Sequence, residues 1–151
     1  MQSLLTLLRH AQDERDRCAA AWQVAHNAQL ALEAQYEQLL AFRHEYEARW
    51  SHQFSEQGQI ELVRSYHGFM QRLTQALDHQ QGTVKAAVTR AAKARVVLRE
   101  REVRVASVRK LLERREQQAR TDSHRREQKF NDEMASRVVH DSSVQGLAST
   151  F

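Results

Sequence analysis

Proline is missing from this chain of 151 residues, glycine occurs four times and cysteine once. With so little to punctuate short elements, strands joined by tight turns are excluded as the basis of the fold. Apolar runs extend over only a few residues, far short of the roughly 20 that a membrane-spanning helix needs, so a soluble protein is expected. Met1 to His10 carries an apolar patch with no basic stretch ahead of it and no cleavage site, so it does not read as a secretory signal. The lone Cys18 leaves no intramolecular disulfide and no cysteine-based metal site, which fits a cytoplasmic protein. What is abundant is Ala, Gln, Arg, Glu and Leu, residues that keep most of their rotamer freedom in a helix. The composition predicts long helices.

Periodicity turns that prediction into elements. In alternating steps of four and three, Leu4, Leu8, Ala11, Arg15, Cys18, Trp22, Ala25, Gln29, Leu32, Tyr36, Leu39, Arg43, Tyr46, Trp50 and Gln53 trace one stripe in which only Arg15, Gln29, Arg43 and Gln53 are polar. The same count from Val63 gives Tyr66, Met70, Leu73, Leu77, Gln80, Val84, Ala87, Ala91, Ala94, Leu98, Arg101, Val105, Val108, Leu112, Arg115 and Ala119, with breaks at Gln80, Arg101 and Arg115. A heptad seam of this length belongs to coiled-coil helices. The fold class expected is all-α, an antiparallel two-helix coiled-coil hairpin with a longer second helix: helix one over about 3–54, a turn at 55–59 around Gly58, and helix two over about 60–138. A parallel homodimer of straight helices satisfies the same pattern and stays open, with a monomeric hairpin as the simpler expectation.

Gly68 and Gly82 fall inside the second pattern, where each costs about 1 kcal/mol against alanine and suggests a bend. The length mismatch leaves roughly 25 residues of helix two unpartnered, on the order of 40 Å. Acid-first pairs at i, i+4 (Glu100 with Arg104, Glu116 with Arg120, Asp122 with Arg126, Glu133 with Arg137) are expected to support that overhang by a few tenths of a kcal/mol each. Residues 139–151 read as a disordered tail.

Charge and aromatics separate along the sequence. Residues 1–92 hold nine Lys or Arg against ten Asp or Glu, and residues 93–137 hold fourteen against eight. Tyr36, Phe42, Tyr46, Trp50, Phe54, Tyr66 and Phe69 flank the turn, and no Phe, Tyr or Trp occurs again until Phe130. A two-helix seam is too thin to enclose seven rings, so an aromatic cluster at the hairpin tip is a candidate protein-binding site. Tyr36, Tyr46, Trp50 and Tyr66 equally suit the seam, and Phe42 and Phe69 are open between core and surface. The eight histidines include no i, i+4 pair, and no phosphate loop or nucleophile elbow is present. His140-Asp141-Ser142 has the letters of a triad but not the spacing in space that one needs. No enzyme activity, metal or cofactor is expected. The rival reading is a generic basic helical protein that binds nucleic acid or a membrane surface, though without aromatics among the arginines for stacking.

The segment Arg-Glu-Gln-Lys-Phe-Asn-Asp-Glu-Met-Ala-Ser-Arg, Arg126 to Arg137, resembles the C-terminal signature of the flagellar export protein family FliJ: a basic residue, an acid-Gln-Lys triplet, then Asp-Glu and a small residue before Arg. Leu39-x-x-Phe42-Arg43-x-Glu45-Tyr46 and Tyr66-x-x-Phe69-x-x-x-Leu73-x-x-Ala76 are similar to that family's two central blocks, in order and with the turn between them. A heptad repeat does not dictate Glu127-Gln128-Lys129 or Asp132-Glu133, so the likeness is specific, and it runs over about residues 1–138.

The resemblance implies a stalk-like coiled coil in the type III export apparatus of the flagellum. Such a protein would enter the hexameric export ATPase FliI and stimulate it, and bind the export gate protein FlhA and the export chaperones that escort substrates. It would be cytoplasmic and peripheral to the inner membrane at the flagellar base. Carried over, the gate-binding residues would be Gln35, Leu39, Phe42, Tyr46, Phe69, Leu73, Ala76 and Gln80, with Phe42 where tyrosine is usual and Gln80 where histidine can occur. The ATPase-binding residues would be Arg115, Arg120, Arg125, Arg126, Gln128, Lys129, Asp132, Glu133 and Arg137. Leu39, Tyr46 and Leu73 carry a conflict, since the periodicity puts them in the seam and the resemblance puts them on a surface.

Overall fold

The computed structural model describes residues 1–56 and 60–148, excluding the side chains of 54–56. Two helices account for all but the first of them: α1, Gln2–Glu56, of 55 residues, and α2, Ile60–Ala148, of 89. The expected turn with Gly58 falls largely on 57–59, outside the described residues. α2 runs through Gly68 and Gly82 without interruption, and neither takes a positive φ. A Cβ built on either meets nothing within 4 Å, so these glycines serve no close approach.

The chain divides into two compact units, His10–Arg104 and Met1–Arg9 with the chain from Val105 onward. In the first, contacts run Glu14 to Arg101, Trp22 to Arg95, Gln35 to Gln80, Tyr46 to Phe69 and Trp50 to Tyr66. Partners fall in number on α2 as they rise on α1, which is an antiparallel hairpin. Its buried residues are Ala11, Leu73, Leu77, Ala87, Ala91 and Leu98, all on the heptad stripes. Small alanines at the middle of the seam keep the helices close, and the two larger rims are closed by specific contacts. Arg95 caps the Trp22 ring at 5.0 Å from its centroid, and His26 stacks on the same ring at 4.9 Å.

Arg101 and Gln29, two of the polar breaks in the seam, each meet a carboxylate. Arg101 Nη1 approaches Glu14 Oε2 at 3.2 Å, and Glu14 Oε1 meets His10 Nε2 at 3.3 Å. The Arg101 contact is an ion pair without hydrogen-bond alignment, so Glu14 Oε2 and Arg101 Nε make no hydrogen bond. Gln29 Nε2 donates to Glu33 Oε1 at 2.9 Å within α1.

In the second unit, Val105, Val108 and Leu112 of α2 are buried and Leu4 and Leu8 of α1 half-buried. Beyond Leu112 the burial ends. All 36 residues from Glu113 to Ala148 are exposed, about 54 Å of helix at 1.5 Å per residue. This is longer than the sequence suggests, because the seam stops before Arg115 and the helix continues past 138. The disordered tail expected over 139–151 is corrected accordingly: α2 is helical to Ala148, with residues 149–151 outside the described residues. No proline interrupts this stretch, and Ser142 and Ser143 donate their hydroxyls back to the carbonyls of Val139 and His140, satisfying themselves within the helix. Among the described residues, none of the four acid-first pairs expected on α2 closes to 4.0 Å; all eight residues are exposed to water, where such contacts gain little.

Candidate binding surfaces

Among the described residues, Phe42, Tyr46, Trp50, Tyr66 and Phe69 join in one cluster near the end of α1 and the start of α2, with the His67 ring at its border, 5.7 Å from Tyr66. Tyr46 is central: its centroid lies 4.4 Å from Phe69, 5.8 Å from Phe42, 5.8 Å from Trp50 and 6.5 Å from Tyr66. Trp50 and Tyr66 meet at 5.5 Å, and Phe42 and Phe69 at 6.4 Å edge to face. Separations and tilts of this kind are those that aromatic quadrupoles favour. Tyr46, Trp50, Tyr66 and Phe69 are half-buried by one another and by the seam, whereas Phe42 keeps 46% of its surface exposed. The heptad count explains this, since Phe42 sits three residues beyond Leu39 and four before Tyr46, on the shoulder of the stripe.

Beside Phe42 lies a shallow recess of about 480 Å³ lined by Gln35, Gln38, Leu39, Phe42 and Gln80. Its floor is apolar and its rim is amide. Gln80 Nε2 donates to Gln35 Oε1 at 3.3 Å and to the Leu32 carbonyl at 3.5 Å, tying the two sides of the recess together. Of the residues that the resemblance singles out for the gate, Gln35, Leu39, Phe42 and Gln80 share this recess, and Tyr46 and Phe69 adjoin it through Phe42. Ala76 is exposed and does not line it. Leu73, at 8% exposure, lies in the seam as the heptad count expects, because its position on the stripe turns it toward α1. Leu39 and Tyr46 are half-buried and serve both the seam and the surface. Gln38 was not singled out from sequence, although its place three after Gln35 and four before Phe42 puts it on their face.

The nine residues proposed for an ATPase all lie on the exposed part of α2. At about 100° per residue, Arg115, Arg126, Lys129, Glu133 and Arg137 share one face, Arg125 and Asp132 border it, and Arg120 and Gln128 lie on the far side. Alongside runs a stripe that sequence reasoning did not use: Phe130, Met134 and Val138, four apart and 63%, 46% and 64% exposed. Formal charge there is balanced, seven Lys or Arg against seven Asp or Glu over residues 113–148. The positive excess belongs instead to residues 85–112, with nine against two. Among the described residues no group of three or more His, Cys, Asp or Glu could hold a metal ion, and no helix is long and apolar enough to cross a membrane.

A family model described as Flagellar FliJ protein matches residues 1–143, which takes in both helices, the aromatic cluster and the Arg126–Arg137 signature. No curated protein and no solved structure matches the chain. With that match spanning nearly the whole sequence, on a scaffold of two long helices, the chain belongs to the FliJ family of flagellar type III export components, which are not catalysts.

Proposed function

We propose that this chain is a stalk of the flagellar export ATPase complex, with two working surfaces on one scaffold. The uncovered helix from Glu113 to Ala148 docks in the hexameric ATPase FliI and stimulates hydrolysis. The observation that carries this reading is its exposure: 36 residues of ordered helix with no covering surface, bearing an apolar stripe flanked by both signs of charge. Helices in proteins gain most of their stability from packing, so an uncovered stretch of this length gains from a partner. Phe130, Met134 and Val138 supply the desolvated contact, and Arg126, Lys129, Glu133 and Arg137 fix orientation by charge-assisted hydrogen bonds.

The recess between Gln35 and Gln80 receives a segment of the gate protein FlhA, with Phe42 as the exposed anchor ring. Aromatic anchors at the centre of a small apolar patch with an amide rim are the arrangement that binding hot spots favour. The side chains of Tyr46 and Phe69 support Phe42 from behind, so its ring is presented without having to be ordered on binding. Escort chaperones are further partners, and the protein works at the cytoplasmic side of the inner membrane. Hydrolysis by purified FliI with added full-length chain tests the reading: stimulation is expected, and Phe130→Asp with Met134→Asp should remove most of it.

A further inference from the structure

Exposed valines on α2 find no use in the proposed stalk. Val88, Val96 and Val103 are 41%, 59% and 60% exposed, and with Ala92 they occupy a sector of roughly 80°. That sector faces away from Ala87, Ala91, Ala94 and Leu98, which form the seam against α1. A shallow recess of about 340 Å³ lies on it, lined by Val96, Arg99, Glu100 and Val103. Helix stability does not account for these residues, because a β-branched side chain on a solvated helix is worse than alanine by about 0.5 kcal/mol.

The charges along the same sector have one sign. Lys85 and Arg99 lie on it with no acid among them, Lys93 and Glu100 border it on one side and Glu102 on the other. Arg95 and Arg101 of this stretch are occupied toward α1, on Trp22 and on Glu14. Among the described residues, no ion pair engages Lys85, Lys93 or Arg99.

We infer that this outer face of α2, Lys85 to Arg104, is a separate docking ridge for an acidic amphipathic helix of another protein. The valines bury an apolar stripe of the incoming helix, and Lys85, Lys93 and Arg99 pair with carboxylates flanking that stripe. Nucleic acid fits less well, since no Phe, Tyr, Trp or His lies between Lys85 and Arg104 to stack on a base. A membrane surface favours a broad apolar face with Trp, Phe or Leu, where this ridge offers three valines.

The test titrates full-length chain with a synthetic helix of about three heptads that carries leucine in its stripe and glutamate beside it. The same peptide with lysine for glutamate, anionic phosphatidylglycerol vesicles and a duplex DNA oligonucleotide are run in parallel. The acidic helix should bind and the lysine version should not. Val96→Ser with Val103→Ser should weaken binding roughly tenfold, and Lys85→Glu with Arg99→Glu by a similar factor while flattening the salt dependence. Circular dichroism checks that these exposed substitutions leave the helices intact. Phe42→Ala and Phe130→Asp should leave this binding unchanged, which separates the ridge from both surfaces of the proposed stalk. Unchanged affinity in the valine variant, tighter binding of vesicles or duplex than of the acidic helix, or self-association of the chain that the valine variant abolishes would each overturn the proposal.

Discussion

Gln80 of α2 donates one amide both to Gln35 Oε1, at 3.3 Å, and to the Leu32 carbonyl of α1, at 3.5 Å. It is a polar residue on a stripe otherwise built from Leu, Val, Ala and Met in this region, and it stands where the seam opens into the recess beside Phe42. A polar group in a coiled-coil seam fixes register at a cost in stability. Replacing it separates those two roles. Gln80→Leu should raise the thermal midpoint, with a gain of about 1 kcal/mol, and should weaken gate binding in pull-down by closing the recess. A loss of stability would mean that the bonds to Gln35 and Leu32 contribute more than the apolar alternative.

Leu73 and Phe42 should respond in opposite ways to truncation. Leu73 is 8% exposed and Phe42 46%. Leu73→Ala should cost about 2–3 kcal/mol in urea denaturation, near the low end for buried leucine because a two-stranded seam collapses easily. Phe42→Ala should cost under about 1 kcal/mol and impair gate binding instead. Equal destabilisation by the two would show that the ring belongs to the core.

Glycines inside α2 offer a gain of stability. Gly68 and Gly82 lie in continuous helix with open space where a Cβ would stand. Gly68→Ala and Gly82→Ala should each stabilise by up to about 1 kcal/mol, read as a rise in the urea midpoint with unchanged slope. A fall would point to a helix bend that alanine resists.

Amide hydrogen exchange should divide α2 at Leu112. Residues 73–112 carry the buried stripe, whereas Glu113 to Ala148 are all exposed. Exchange should be slow in the first and fast in the second, because local opening there breaks no tertiary contact. Addition of the ATPase should then protect the second stretch.

The seam was legible in the amino-acid sequence because a heptad spacing admits one reading over so many turns. Positions from Leu4 to Trp50 and from Val63 to Leu112 are buried or half-buried as the count requires. The shoulder of the stripe was harder. Whether Leu39, Tyr46 and Leu73 face a partner depends on how far two thin helices cover each other, which spacing does not encode. The helix end at Ala148 was missed because the Ser and Asp residues after His140 favour caps and turns, yet the serines bond back to their own helix. Charge was read too coarsely: a window of 93–137 hides that residues 85–112 hold the excess and residues 113–148 are neutral. Exposed valines gave no signal, since apolar residues off the stripe are common on any surface.

The second surface turns on Phe130, Met134 and Val138, and one measurement bears on it most directly. Steady-state ATP hydrolysis by purified hexameric export ATPase is followed against rising concentrations of the full-length chain, wild type, Phe130→Asp with Met134→Asp, and Arg125→Glu with Arg126→Glu. Saturable stimulation by wild type is expected, with most of it lost in the apolar variant and the half-saturating concentration raised several-fold in the charge-reversed one. No stimulation by wild type, or equal stimulation by all three, would contradict the account.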